Sequence, residues 1–200
     1  MIYEPELTLR DARARHFASS GFGADGGYNE RFIKVKVWRV PIWLPNTQGR
    51  RKAVRLHDLH HVLTEYPTTW RGEAEISAWE VASGGLHRYW AGWVLDLMNV
   101  AQGLVVNPRG VFQGVVRGRR SRNLFAETFD DALLSRRVGE MRRVMRLEDK
   151  GAVTKASAGD VAAFVAWSLA GAATYLVLVG VPIAVLAAML YAVLGWVGVV

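Results

Sequence analysis

Residues 51–64 read RKAVRLHDLHHVLT, and two patterns run through them at once. Leu56, Leu59 and Leu63 recur at helical spacing and share one sector of a helix. At about 100 degrees per residue, with His57 at zero, His61 falls near 40 degrees and Asp58 near 100 degrees, roughly opposite the leucines. The stretch therefore reads as an amphipathic helix with a core face and a polar face. Three of the five histidines in the chain lie on it. His60 falls near 300 degrees, outside the quadrant of the other polar groups, so it is expected behind a ligand set or facing a substrate.

Tyr66-Pro67-Thr68-Thr69 ends this helix, and a second runs from near Arg71 to Ser83, where Gly84-Gly85 closes it. Glu73, Ser77, Glu80 and Gly84 form one stripe along it. A short connection makes the two helices antiparallel neighbours, so the stripe can face His57, Asp58 and His61. Two imidazoles and one or two carboxylates then converge. Such a donor set suits zinc, with iron or manganese as alternatives, and leaves positions for water or substrate. Glu80 is placed to orient a ligand or move a proton, and His60 and Glu80 are the accessory catalytic candidates. The chain has no cysteine, which excludes disulfides and thiolate ligands.

Outside this pair the pattern is mainly α. Glu6 to Ser19 reads as a short helix, and Ile33, Val35 and Val37 alternate with Lys34 and Lys36 as in a strand. Pro41 and Pro45 are expected to stop regular structure. Leu86 to about Val105 carries a long apolar stripe as a core helix, in which Asp96 argues against a membrane span. Asn107 to Gly110 reads as a loop and Asp130 to Leu147 as a further amphipathic helix. The expected architecture is an N-terminal helix and small β element over residues 1–50, a helical metal-binding domain over 51–150, and an apolar tail over 160–200.

From Asp160 to Val200 there is no Lys, Arg or Glu. That is membrane composition, and a helix of this length is about twice the hydrocarbon thickness. A transmembrane hairpin of spans 161–179 and 182–200, broken at Gly180-Val181-Pro182, accounts for it. The hairpin would put Trp167 and Trp196 at the same membrane surface. The net charge of +7 then points to anionic lipid rather than nucleic acid, since no nucleic-acid motif accompanies the basic residues. Arg117, Arg119, Arg120, Arg122, Arg136, Arg137, Arg142, Arg143 and Arg146 are the expected lipid contacts. The positive-inside rule puts the metal-binding domain on the cytoplasmic side of the membrane.

The pattern His-Asp-x-x-His, eleven residues, then Glu, which His57, Asp58, His61 and Glu73 spell without a gap, resembles the hallmark of the coenzyme Q biosynthesis protein 4 family. The likeness extends over roughly residues 50–90. It implies a mostly helical fold, a divalent metal, usually zinc, held by those four residues, and a place in ubiquinone synthesis. It also implies a prenylated aromatic quinone precursor as substrate, oxidative decarboxylation as the reaction class, and other quinone-biosynthetic enzymes as partners. Two alternatives use the same residues. A non-enzymatic membrane adaptor would use the metal to hold two helices together while organising such enzymes. An HD-type phosphohydrolase would draw on His16, His57-Asp58 and Asp96 and leave Glu73 idle.

Overall fold

A computed structural model describes residues 3–21, 23, 26–37, 40–147 and 155–197. The fold is mainly helical, as the periodicities imply. Helix α1 (Leu9–Ser20) precedes a two-stranded antiparallel ribbon, β1 (Phe32–Val37) and β2 (Val40–Pro45), paired from Phe32 opposite Pro45 to Val37 opposite Val40. Pro41 thus lies within β2 rather than ending it, while Pro45 is the last residue of that strand. A two-stranded ribbon consists only of edges, where a missing N–H is tolerated.

Helix α2 (Gln48–Thr64) is capped by Thr47, whose hydroxyl accepts from the Arg50 N–H, and closes on Glu65 at φ 62°. Helix α3 (Trp70–Ala82) starts on Thr69, whose side chain accepts from the Gly72 N–H. Both polar caps satisfy backbone groups that a helix end leaves orphaned. Leu56, Leu59 and Leu63 are buried in a single core with Ile76, Trp79, Phe125 and Met141, and Tyr3, Leu9 and Ala12 belong to that same core.

Helix α4 (Trp90–Val106) starts four residues later than its apolar stripe, because Gly85 and His87 take positive φ and turn the chain first. Residues 107–110 are not a loop. Asn107 caps helix α5 (Pro108–Arg119) with its side chain on the Gly110 N–H, and Pro108 sits in the first turn. Gly110, Gly114 and Gly118 line one face of α5, where it meets α3. A Cβ at Gly114 would lie 2.5 Å from the Glu75 carbonyl oxygen, and one at Gly118 2.6 Å from that of Trp79. The two backbones touch, so glycine is required by space. Gly114→Leu is expected to force α5 off α3 and to cost more than about 3 kcal/mol; a chemical denaturation midpoint measured beside wild type checks it.

The expected helix over 130–147 is two short ones, α6 (Asp131–Ser135) and α7 (Val138–Val144). Between them the chain is extended and pairs with the N-terminal segment, the Leu9 N–H donating to the Arg136 carbonyl at 2.8 Å and the Val138 N–H to that of Leu7 at 2.9 Å. Backbone pairing here overrides the apolar period.

The C-terminal segment also departs from expectation. Instead of a hairpin, α8 (Ala158–Tyr175), a π-helical turn (Leu176–Gly180) and α9 (Val181–Trp196) form one continuous helix, the one among the described residues long and apolar enough to cross a membrane. Pro182 would clash with the carbonyl four residues back in a regular helix. The wider π turn, with the Val181 N–H reaching the Leu176 carbonyl, absorbs that clash. The first half is docked: Phe164 meets Phe112 edge-on at 5.3 Å, Trp167 lies 5.8 Å from Trp93, and Gly171 packs on the α4 backbone. From Leu176 onward nearly every side chain is exposed, over some 21 residues or roughly 32 Å, which matches one hydrocarbon thickness. Trp167 is therefore a packing residue, and Trp196, 88% exposed, stands at the far end of the helix.

The basic cluster is largely engaged within the protein. Arg142 donates to the Leu63 and Val62 carbonyls and pairs with Glu65 at 2.7 Å, while Arg117, buried, donates to the Thr64 carbonyl at 2.8 Å. Both cap the C-terminal end of α2, where positive charge is favoured. Arg119 and Arg120 pair with Asp160, Arg136 with Glu140 and Arg137 with Glu6. Of the nine expected lipid contacts, these six are held by intramolecular polar contacts.

Candidate metal centre

His57 and His61 leave α2 one turn apart, and Glu73 leaves the first turn of α3. The His57 and His61 Nε2 atoms stand 3.1 Å apart, and the Glu73 carboxylate lies 3.5 Å from the first and 3.3 Å from the second. Donors roughly 2.0–2.1 Å from a tetrahedral ion are separated by about 3.3 Å. The two nitrogens face different oxygens of the Glu73 carboxylate, Oε2 for His57 and Oε1 for His61, at spacings of that size, and one donor atom from each of the three residues lies within 4.8 Å of the others.

The far side of each ring is fixed. His61 Nδ1–H donates to the Tyr66 carbonyl at 2.8 Å, in the turn that joins the two helices. His57 Nδ1–H donates to Glu80, 2.9 and 3.0 Å from its two oxygens. With both Nδ1 atoms acting as donors, both Nε2 atoms face the Glu73 carboxylate, and loss of the His57 proton would free both for a metal, the arrangement in which histidine binds one. The residues present fit a divalent cation, and the nitrogen and carboxylate donors suit zinc, iron or manganese.

Glu80 is wholly buried and serves two imidazoles. His60, also wholly buried, approaches it with Nδ1 at 2.5 Å, while the Leu124 N–H donates to His60 Nε2 at 2.8 Å. Trp79 and Phe125 close on the His60 ring edge-on. Both its nitrogens are used and no surface reaches solvent, so His60 neither faces a substrate nor moves a proton to one. It ties α2 to the loop after α5 and to Glu80 on α3. Burial lowers the His60 pKa and keeps the ring neutral.

Asp58, the remaining residue of the expected ligand set, is turned elsewhere. The Tyr28 hydroxyl donates to its Oδ2 at 2.5 Å, and burial raises the Asp58 pKa. It lines the same cavity as His57, His61 and Glu73 without joining their three converging atoms. About 100 degrees of helix rotation from His57 is enough to direct its carboxylate at the segment before β1. Tyr28, in a glycine-rich loop, carried no periodic signal that marked it in advance.

Asp96, expected near a metal only in the phosphohydrolase alternative, also borders the site. It is buried on α4 beside Glu80 and His57, and accepts from the Ser77 hydroxyl at 3.2 Å, with Asn99 donating to Ser77 at 3.1 Å. Burial and the neighbouring Glu80 carboxylate raise its pKa well above the usual range, which favours the protonated acid. The available signal was an acid standing alone in an apolar helical stripe.

Burial alone would lower the His57 pKa and raise those of Glu73 and Glu80. Glu80 and Glu73 outweigh it at His57, whose pKa rises well above ordinary; the imidazoles outweigh it at both glutamates, which stay ionised far below the usual carboxylate range. His16, stacked on His61 at 5.4 Å, is driven down to about 4 by burial and the neighbouring imidazoles, and is neutral.

Two cavities flank the centre. One of about 190 Å³ runs toward α4, with His57, Glu73, Glu80 and Asp96 at its polar end and Leu86, Leu95 and Phe125 among its apolar walls. Another of about 530 Å³ opens beside the β ribbon, past Phe32, Trp43 and Thr68. His57, Glu73, Ile33, Val54 and Arg50 border both. The arrangement can hold a cation between two partly open cavities, with room for a ligand to reach it. Comparison with protein-family models, with curated proteins and with solved structures returns no match to this chain.

Proposed function

We propose that this chain is a membrane-held metalloprotein of ubiquinone or related prenylquinone synthesis, acting on a prenylated aromatic precursor in the oxidative decarboxylation class. The observation that carries the metal reading is the convergence of His57 Nε2 and His61 Nε2, 3.1 Å apart, on the Glu73 carboxylate, whose Oε2 and Oε1 lie 3.5 and 3.3 Å from them, with both Nδ1 atoms committed as donors. Zinc is the first choice of ion. A divalent ion there would polarise a substrate oxygen or acidify bound water. Glu80 fixes the His57 ring, the Tyr66 carbonyl fixes that of His61, and the apolar walls receive the ring of the substrate and exclude water.

The resemblance of His57-Asp58-x-x-His61 and Glu73 to the coenzyme Q biosynthesis pattern supplies the substrate class, and the long apolar helix is consistent with a lipid-soluble substrate. Every Lys and Arg lies at or before residue 155, so the reading puts the metal domain at the cytoplasmic face. Three protein donors and an adjoining cavity favour chemistry over a purely structural role, because structural zinc sites are closed by four protein ligands. The phosphohydrolase alternative loses ground: it gives Glu73 no part and requires Asp58, which Tyr28 occupies.

Quinone and precursor profiling tests the proposal in a strain lacking the gene and complemented with wild type or His61→Ala. A carboxylated prenyl-phenol is expected to accumulate with the variant alone. Full rescue by His61→Ala would remove metal-dependent chemistry from the reading.

A further inference from the structure

Among the described residues Arg50 is the one Lys or Arg that borders both cavities beside the centre. It stands in the first turn of α2, two helical turns before His57. Its Nη1 donates to Asn46 Oδ1 at 2.9 Å. Asn46 is itself buried and rigidly held, its amide donating to the Tyr28 and Glu30 carbonyls at 3.1 and 2.8 Å. Asn46 thereby clamps one edge of the guanidinium. The Arg50 Nε–H is buried and has no hydrogen-bond partner. Among the described residues no carboxylate pairs with Arg50 at ion-pair distance, and Asp58, which borders the larger cavity with it, accepts from Tyr28.

A cation held rigidly, partly out of water, with an unused donor, is an incomplete interaction. Guanidinium offers two parallel N–H groups in the geometry that matches a carboxylate. The metal centre and Arg50 border the same space, whose other walls include Ile33, Val54, Leu86, Leu95 and Phe125. A ligand that satisfied all three would carry an acid group, an oxygen donor and an apolar body.

We infer that Arg50 is a specificity-determining residue that binds the acid group of a ring substrate while the oxygen donor of the ring meets the metal centre. This rests on the proposed aromatic-acid substrate class, but not on which metal is bound. Arg50 selects the acid over its decarboxylated product, so the product leaves a guanidinium unpaired and dissociates. A purely structural Arg50, clamping Asn46 and the ribbon, would not discriminate between the two.

The test uses the full chain in detergent micelles and two probes, a 3-alkyl-4-hydroxybenzoate and the corresponding 2-alkyl-1,4-hydroquinone, titrated calorimetrically with and without zinc. Wild type is expected to prefer the acid by about tenfold to a hundredfold, the range of a charge-assisted hydrogen bond. Arg50→Gln should bind both probes about equally, and Arg50→Lys should keep part of the preference. Thermal melts of each variant establish folding, and zinc content should stay at the wild-type level in both. Equal acid preference in Arg50→Gln and wild type, or no preference in wild type, would overturn the inference. Because the preference is also read in metal-free protein, a wild type without zinc would sink the metal reading alone.

Discussion

Purified in detergent, the wild-type chain is expected to carry one zinc equivalent, and His61→Ala to retain none after dialysis against a mild chelator. Removing a single outer partner of a metal-bound histidine typically lowers affinity 10–100-fold; deleting one of three protein donors should exceed about a hundredfold. Metal analysis of the two proteins side by side reads the outcome, and zinc retained equally by both would remove the centre. Asp58→Ala separates the geometry from the sequence motif. The Asp58 carboxylate is bonded to Tyr28 rather than converging with the histidines, so this variant should keep its zinc and lose stability, whereas a fourth ligand would lose zinc. The dependence on pH has a definite sign. In the metal-free protein Glu80 and Glu73, against burial, hold the His57 pKa well above its ordinary value, and a metal must displace that proton. Affinity should therefore fall about tenfold for each unit the pH drops below the raised value and level off above it. The same proton stabilises the metal-free fold fully below about pH 6.5, the unfolded value, and that contribution is lost as pH rises through the folded one.

The core of the site was legible because it sits on two long, strongly patterned helices. Helical angles alone bring His57 and His61 to one side of α2, and the Tyr66-Pro67 break with the Glu73 stripe brings the carboxylate opposite them. The same arithmetic could not decide Asp58 and His60, since each takes its role from a partner on another element: the Tyr28 hydroxyl for one, Glu80 and the Leu124 N–H for the other. Asp96 read as a flaw in an apolar stripe for the same reason; its partners Ser77 and Glu80 lie on α3.

Helix α5 was hidden by its glycines, which lower helix propensity and mimic a loop. They are the reason α5 packs so closely, and the Asn107 cap followed by Pro108 was the available sign of its start. The terminal hairpin failed on a different count. A proline breaks a regular helix, but a π turn lets one continue, and the dry backbone of a continuous helix suits lipid better than a turn with no polar residue. Docking of α8 on α4 then links the apolar C-terminal segment to the helix that carries Asp96 and walls the smaller cavity. The metal centre and the membrane-length helix are thus one helix apart.

Glu80→Gln is expected to produce the second large effect, on metal affinity and on stability together. The wild-type carboxylate accepts from His57 Nδ1 at 2.9 and 3.0 Å and from His60 Nδ1 at 2.5 Å, with no exposed surface, while Asp96 is favoured as the protonated acid. An amide of the same shape has one oxygen for the two imidazole donors, and its NH2 points a donor toward one of them. The His57 ring must then turn or change tautomer, which spoils the aim of Nε2 at Glu73 and His61. Zinc affinity should drop 10–100-fold, the range for losing such an outer partner. Leaving a buried imidazole N–H unpaired costs on the order of 1–3 kcal/mol for each group, so the metal-free variant should also unfold earlier in denaturant. His60→Ala provides the contrast: it strips the Leu124 N–H of its acceptor and opens a cavity between Trp79 and Phe125, yet leaves the His57–Glu80 contact in place. It should lose several kcal/mol of stability while zinc affinity changes much less than in Glu80→Gln. Competition titration against a zinc chelator and denaturant unfolding on the same preparations separate the two; equal affinity loss in both variants would place His60 among the groups that aim the metal ligands.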